Sequence, residues 1–204
     1  MHLTSKLTMI FAVLWISTAC YASGPEVGKI APDFVGYDTQ GNSIQLSELF
    51  GKPIVLEWTN HECPYVKKHY NSGNMQRTQR LITEQGAIWI SVISSAKGEQ
   101  GYVSGQEAEQ LTQSRGAYAS MVLLDPEGVI GKLYGAKTTP QMFLIDETGT
   151  VRYMGAIDDK PSARPSSLKG ATNFVTNAWH ALKSGQQVSP SATKPYGCSV
   201  KYAH

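Results

Sequence analysis

The feature that most constrains this chain is the run at 54–70, IVLEWTNHECPYVKKHY. An apolar, β-prone stretch gives way to a polar knot, and Cys63 followed by Pro64 opens a helical pattern. Proline suits the first helical position because the N–H it lacks would have had no partner there. Cys63 is thereby set at a helix N-terminus, where unpaired amides and the helix dipole favour a thiolate over a thiol. Lys67, Lys68 and His61 add positive potential, and Glu62 opposes them. The bland alternative is a buried cysteine acting as a small hydrophobe. The polar approach, the proline and the basic turn favour a reactive thiol instead.

At the N-terminus, Lys6 precedes an apolar core at 7–16, and small residues then allow cleavage after Ala22, with Cys20 and Ala22 at the −3 and −1 places. This predicts an exported chain, periplasmic or otherwise extracytoplasmic. The apolar run is too short to span a bilayer comfortably. Lipidation of Cys20 is the second choice, because Ser17 stands where an apolar residue is expected, and membrane contact is expected only in that case. Removing residues 1–22 from the 204 leaves 182, and the loss of Lys6 takes the formal net charge from +2 to +1. That length suffices for one domain with a substantial core. No basic run or basic stripe with interleaved aromatics points to nucleic acid, and no cysteine pair has zinc-site spacing. Two cysteines remain, Cys63 and Cys198, and an even pair in an oxidising compartment invites a disulfide.

Pattern and turn chemistry order the rest. Residues 23–32 form an extended entry containing Pro25 and Pro32, residues 33–37 and 43–45 flank a hairpin turn at 38–42, and residues 47–50 make one helical turn closed by Gly51. Residues 53–58 read as a largely buried strand bearing one charge, Glu57. The helix opened at Cys63 reaches Tyr70, breaks in the turn-prone segment 71–74 and restarts at Met75. Residues 87–93 are a second buried strand. After a loop at 94–103, Ser104 and Glu107 have the spacing of a capping box for a helix to Arg115. Residues 121–124 form a short strand, and Asp125 and Pro126 are the N-cap and first turn of a helix ending near Gly135. Residues 141–145 and 150–154 make a hairpin. Leu168, Ala171, Phe174, Val175, Ala178, Trp179 and Leu182 recur at helical spacing in a last amphipathic helix. The expected layout is a cleaved signal peptide at 1–22, one domain at 23–186, and a C-terminal tail at 187–204 carrying Cys198. The element order predicts a three-layer α/β domain, a mixed central sheet with an N-terminal β-hairpin extension.

Several of these segments together resemble the thioredoxin-fold redoxins, specifically the alkyl hydroperoxide reductase/thiol-specific antioxidant (peroxiredoxin-like) group. The resemblance covers roughly residues 28–186 and is carried by GKIAPDF at 28–34, LSELFGKP at 46–53, the strand ending at Trp58, the Cys63-Pro64 pair, and TTPQMFLID at 138–146. It implies a thioredoxin-like fold, puts Cys63 at the nucleophilic position, and puts Pro140 at the family's cis-proline, whose loop faces that cysteine. Without the flanking pattern, Pro140 would read as an ordinary trans proline starting a strand. Asn60, Pro64 and Tyr65 are then expected around the thiol, with Thr139 offering backbone hydrogen bonds to an extended substrate. No cofactor and no metal is implied, because the electrons travel through the thiols. The implied partners are a protein or small-molecule thiol or disulfide, a hydroperoxide in the alternative reading, and an external thiol reductant.

The departures from the family pattern shape the functional expectation. Val66 stands where thioredoxins carry the second cysteine of C-x-x-C, so Cys63 has no local partner. A peroxidatic site would place threonine three residues before the cysteine and proline seven before it, and Asn60 and Leu56 stand there. Thr139, Pro140 and Gln141 occupy the place of the family's peroxide-binding arginine, so part of the donor set for the departing oxygen is replaced. The expected activity is therefore thiol–disulfide exchange. The rivals are a thiol-dependent peroxidase with an atypical site, and a copper-binding or redox-inactive interaction module using Cys63 with His61. Cys198 lies in PYGCSVKY at 195–202, where Tyr196, Val200 and Tyr202 can dock on the body. It reads as a resolving thiol, as half of a permanent staple worth roughly 4–5 kcal/mol in the chain-entropy model, or as an independent surface thiol. Trp58 is expected to border the thiol pocket. His69 and the group Asp158, Asp159 and Lys160 are expected in solvent.

Overall fold

In the computed structural model, which describes residues 24–203, the apolar runs of the sequence become the centre of a mixed sheet. The strands in chain order are β1 (Val35–Asp38), β2 (Ser43–Gln45), β3 (Ile54–Trp58), β4 (Ile88–Ile93), β5 (Met121–Leu124), β6 (Thr138–Thr139), β7 (Gln141–Ile145), β8 (Val151–Gly155) and β9 (Cys198–Ser199). The helices are α1 (Pro64–Asn71), α2 (Asn74–Thr83), α3 (Gly105–Ser114), α4 (Val129–Leu133) and α5 (Phe174–Lys183). Seven strands form the main sheet in the order β2-β1-β5-β4-β3-β7-β8, and β6 pairs with β9 as a separate ribbon. The β1–β2 hairpin joins the main sheet through antiparallel pairing of β1 with β5.

Strand β3 sits between parallel β4 and antiparallel β7, and every residue of β3 and β7 is buried. Burial on both faces is why this stretch reads as an unbroken apolar run. Side chains alternate across it: Val55 packs with Val66, Tyr70, Met75, Trp89, Val175 and Trp179 under α1, α2 and α5. Ile54, Leu56 and Trp58 point to the other face, against Ile90, Phe143 and the α4 side chains Ile130 and Leu133. Trp58 lies wholly within that second layer, between the rings of Tyr134 and Phe143, and its indole N–H donates to Ser94 Oγ. It therefore does not border the thiol, because the alternation that buries it carries it to the opposite face of the sheet from Cys63.

Glu57, in the middle of β3, is fully buried and is solvated by protein donors. Its carboxylate accepts from Trp89 Nε1 at 2.8 Å, the Tyr70 hydroxyl at 3.0 Å, the Ser91 hydroxyl at 3.1 Å and Gln79 Nε2 at 3.2 Å. One buried carboxyl group thus ties β4, α1 and α2 to the central strand, and its burial is tolerable only because those donors replace water.

Helix ends follow local chemistry, with two corrections. The predicted break between α1 and α2 falls at Gly73 with φ 71°, and the predicted capping box is present, Ser104 N–H donating to Glu107 Oε2 at 2.7 Å and Glu107 N–H to Ser104 Oγ at 3.3 Å. The helix expected to open at Pro126 instead begins at Val129, because Gly128 with φ 69° completes a turn first. Asp125 still serves that helix, accepting from the amides of Ile130 and Gly131. The last helix begins at Phe174, where the Asn173 side chain accepts from Thr176 N–H at 2.9 Å. Leu168 belongs to a separate 3-10 turn (Pro165–Leu168), cut off by Gly170 with φ 70°. The segment 1–22 expected to be a signal peptide, with Cys20, lies outside the described residues. No helix among the described residues is long and apolar enough to cross a membrane.

Beyond α5 the chain returns along β8. Met154 N–H donates to Ser191 O and Thr193 N–H to Met154 O, both at 3.1 Å, while the Thr193 hydroxyl accepts from Ala156 N–H at 2.9 Å. Gly155 makes this approach possible, since a Cβ there would overlap Thr193. The expected stability consequence centres on Glu57. Glu57→Ala strands several buried donors and should cost at least about 3 kcal/mol. Glu57→Gln keeps an acceptor in place and should cost less than half as much; urea unfolding of both variants against wild type measures this.

Candidate active site

The loop leaving β3 is braced before it reaches the thiol. Cys63 N–H donates to Asn60 O at 3.1 Å, Glu62 N–H donates to Asn60 Oδ1 at 2.9 Å, and Asn60 Nδ2 donates to Gln100 O at 3.2 Å. The carboxylate of Glu62 is also engaged, accepting from Gly101 N–H at 2.7 Å. Asn60 therefore has its carboxamide directed at the 100–101 loop. Cys63 is the N-cap residue of α1 and Pro64 its first residue, the geometry read from the sequence.

The Thr139–Pro140 peptide is cis, and the Thr139 carbonyl accepts from Cys63 Sγ at 3.2 Å. On the far side of Thr139 runs β9, antiparallel to β6 in a register that pairs Thr139 with Cys198 and Thr138 with Ser199. This register places Cys198 Sγ 2.8 Å from Cys63 Sγ, both as free cysteines. Cys63 is fully buried beneath that strand and Cys198 is half-buried. Cys63, Cys198, Thr139 and Pro140 thus converge. Tyr65 stands one step out, half-buried, its ring meeting that of Tyr196 edge-on at 5.8 Å, and Pro64 is exposed.

Burial opposes ionisation of Cys63, but hydrogen bonding from Cys198 and from the Val66 amide outweighs it and holds the thiol below its ordinary pKa. The Thr139 carbonyl, which takes the thiol proton, favours the neutral form instead. Burial, together with Cys63 as neighbour, pushes Cys198 up to about 11. The two ionise as a pair, the first negative charge residing on Cys63.

The surroundings differ from expectation in their charges. Burial lowers the pKa of His61, Glu62 opposes that shift, and Arg115 and Lys67 reinforce it, so the imidazole adds no positive charge near neutral pH. Lys68 turns away from the thiol and is wholly buried: its Nζ donates to Lys160 O at 2.9 Å and the Tyr196 hydroxyl at 3.0 Å, and faces Asp158 Oδ2 at 3.6 Å. Desolvation lowers the Lys68 pKa and the Asp158 charge opposes the shift. His69 is also buried, with Nδ1 2.8 Å from Asn74 Nδ2, and burial and then Lys68 bring it down to about 3. Asp158, expected in a solvated loop, is buried and accepts a hydrogen bond from Tyr196. These residues form a closed polar cluster two positions before Cys198. No local pattern links 68, 69, 158 and 196: Lys68 and His69 meet Asp158 within the domain, and the returning tail adds Tyr196. Among the described residues, no group of three or more His, Cys, Asp or Glu side chains converges to hold a metal ion.

Comparison with known proteins agrees with this geometry. The family model described as AhpC/TSA family matches residues 27–154. Thiol-disulfide oxidoreductase ResA of Bacillus thuringiensis subsp. konkukian is 28% identical over 126 residues, covering 62% of this chain and 67% of ResA. A solved structure of a hypothetical protein from Sinorhizobium meliloti 1021 matches with a TM-score of 0.75 at 24% identity, covering 89% of this chain and 97% of that one. The thioredoxin domain of a thiol-disulfide oxidoreductase from Bacteroides vulgatus matches with a TM-score of 0.51 at 18% identity, covering 71% and 96%. The fold is thioredoxin-like.

The electrostatics predict an ordered titration. Alkylation of Cys63 against pH, read by mass spectrometry, should show an apparent pKa below the usual ~8.5, with Cys198 titrating above it. Cys198→Ala removes a donor to the thiolate and should move the Cys63 titration upward. A Cys63 titration lying above that of Cys198 would reverse the assignment.

Proposed function

The chain belongs to the AhpC/TSA family, and on that premise we propose that it is a thiol–disulfide oxidoreductase acting outside the cytoplasm, with Cys63 as nucleophile and Cys198 as resolving thiol. The observation that carries this reading is the seat of Cys63 Sγ, between the N-terminus of α1, the Thr139 carbonyl and Cys198 Sγ at 2.8 Å. The pattern of Lys6, an apolar core and small residues up to Ala22 supports export, with lipidation at Cys20 as the second choice.

In the reducing direction the Cys63 thiolate attacks one sulfur of a substrate disulfide. A Cys63–substrate S–S bond forms, the substrate S–S bond breaks, and the second sulfur leaves as a thiolate that takes up a proton. Cys198 then loses its proton and attacks Cys63 Sγ, forming the Cys63–Cys198 disulfide and releasing the remaining substrate thiolate. Two electrons pass from the dithiol to the substrate, and an external thiol reductant restores the dithiol. The oxidising direction reverses these steps. Timing is built into the pair: Cys63 is one of the causes that raise the Cys198 pKa, and that cause is withdrawn once Cys63 is bonded to substrate. The resolving thiolate forms more readily when it is needed.

Disulfide exchange is preferred to hydroperoxide reduction because the donors for a departing oxygen are engaged elsewhere. Asn60, at the threonine position of the peroxidatic pattern, spends its Nδ2 donor on Gln100 O, and its Oδ1 accepts from Glu62 N–H. The decisive experiment is turnover of a peptide disulfide with a dithiol reductant, beside hydrogen peroxide and an organic hydroperoxide. Cys63→Ser should abolish turnover, and Cys198→Ser should stop after one turnover with a mixed disulfide on Cys63 visible by mass. Wild-type turnover by Cys198→Ser would remove the resolving role, and faster consumption of peroxide than of disulfide would favour the peroxidase.

A further inference from the structure

The segment that brings Cys198 to Cys63 also bars every other sulfur from it. Attack on a disulfide needs the substrate sulfur against Cys63 Sγ, and Cys198 Sγ holds that place. The cover is a docked strand rather than a loose end. β9 pairs with β6, Val200 N–H donates to Lys137 O at 3.1 Å, and Ala96 N–H donates to Lys201 O at 2.7 Å. The Tyr202 hydroxyl donates to Ala136 O at 2.8 Å, its ring lying where a Cβ on Gly128 or Gly131 would be. Two further positions are chemically selective. At Gly197, φ is 144° and a Cβ would overlap the Thr139 carbonyl, so no larger residue fits immediately before the cysteine in this pairing. One residue earlier, Tyr196 enters a slot formed by the Tyr65 ring, Lys68 Nζ 5.0 Å from its ring centroid, and Asp158, to which its hydroxyl donates. Lys68 and Asp158 are buried, so a chain seated here without that hydroxyl would leave charged groups short of a partner. Ser199, by contrast, is exposed, and its hydroxyl meets only Lys201 of the same segment.

We propose that residues 195–202 stand in for the substrate: this strand occupies the groove along Thr138–Thr139 that an extended, cysteine-bearing polypeptide takes in its turn. The inference rests on the oxidoreductase reading and names its substrate class. Entry is by strand exchange, in which backbone hydrogen bonds to β6 supply the docking and the two shaped positions supply selectivity. The preferred partner carries a hydroxyl-bearing aromatic and then glycine directly before its cysteine, in a segment free to become a strand. Compact disulfides buried inside folded proteins are excluded, because they cannot pair with β6.

The test uses the full chain with Cys198→Ser, following alkylation of Cys63 by peptide mapping. Adding Gly197→Ala should dislodge the strand and accelerate Cys63 alkylation by about tenfold or more, as local opening of a docked segment does. A synthetic peptide of sequence PYGSSVKY, supplied in trans, should restore protection, and the version with alanine in place of glycine should not. If Gly197→Ala fails to fold by circular dichroism, Tyr196→Ala in the same background carries the same expectation. An unchanged alkylation rate, or equal protection by the two peptides, overturns the proposal. Protection by the glycine peptide without disulfide turnover by wild type would sink the oxidoreductase reading and leave the groove standing. Turnover without protection would sink the groove alone.

Discussion

Two residues of β6 hydrogen-bonded to two residues of β9 set the position of a thiol that begins far away in sequence. Thr139 is the hinge of this arrangement, since it pairs with Cys198 through its backbone while its carbonyl takes the Cys63 thiol. Its hydroxyl is left buried and unpartnered beside the same sulfur. With the strand seated, the dithiol is assembled and Cys63 is shut away from solvent in a single step. Were the strand to leave, Cys63 would keep its helix N-terminus but lose its partner and its cover together. Redox chemistry and access are therefore coupled through one short ladder.

The charged groups around the site are arranged to hold that ladder rather than to activate the thiol directly. Lys68, His69 and Asp158 are buried and meet at the Tyr196 hydroxyl. Buried charges of this kind add little net stability, but they penalise any alternative placement of the residue that satisfies them. Glu57 has a parallel role deeper in the domain, fixing α1 and α2 on the sheet through side-chain donors. The helix whose N-terminus carries Cys63 is thus anchored at one point in the core and again at the tail.

Much of this was legible along the chain. The apolar run of β3, the Gly73 break, the Ser104–Glu107 box and the Cys63-Pro64 helix start all rest on interactions within a few residues, and local pattern reports such interactions faithfully. Errors arose where a longer contact changed a local preference. Asp125 and Pro126 looked like a cap and first turn, yet Gly128 inserts a turn between them and α4. Leu168 kept the helical period of α5, but Gly170 and the Asn173 cap begin the helix later. His69 and Asp158 looked solvated because polar residues usually are, and their shared partner lies in the tail.

The sequence by itself determined the layers of the fold and the presence of a cysteine at a helix N-terminus, because both are written in hydrophobic period and in the chemistry of neighbouring residues. Only the tertiary structure decided that Cys198 meets Cys63, that Lys68 serves the tail and not the thiol, and that the site is covered by its own strand. Those outcomes depend on the register of β6 against β9 and on the fit of Gly197 and Tyr196 against the body. Pairings between segments so distant in the chain leave no periodic trace in either one, so they emerge only once the intervening domain has folded between them.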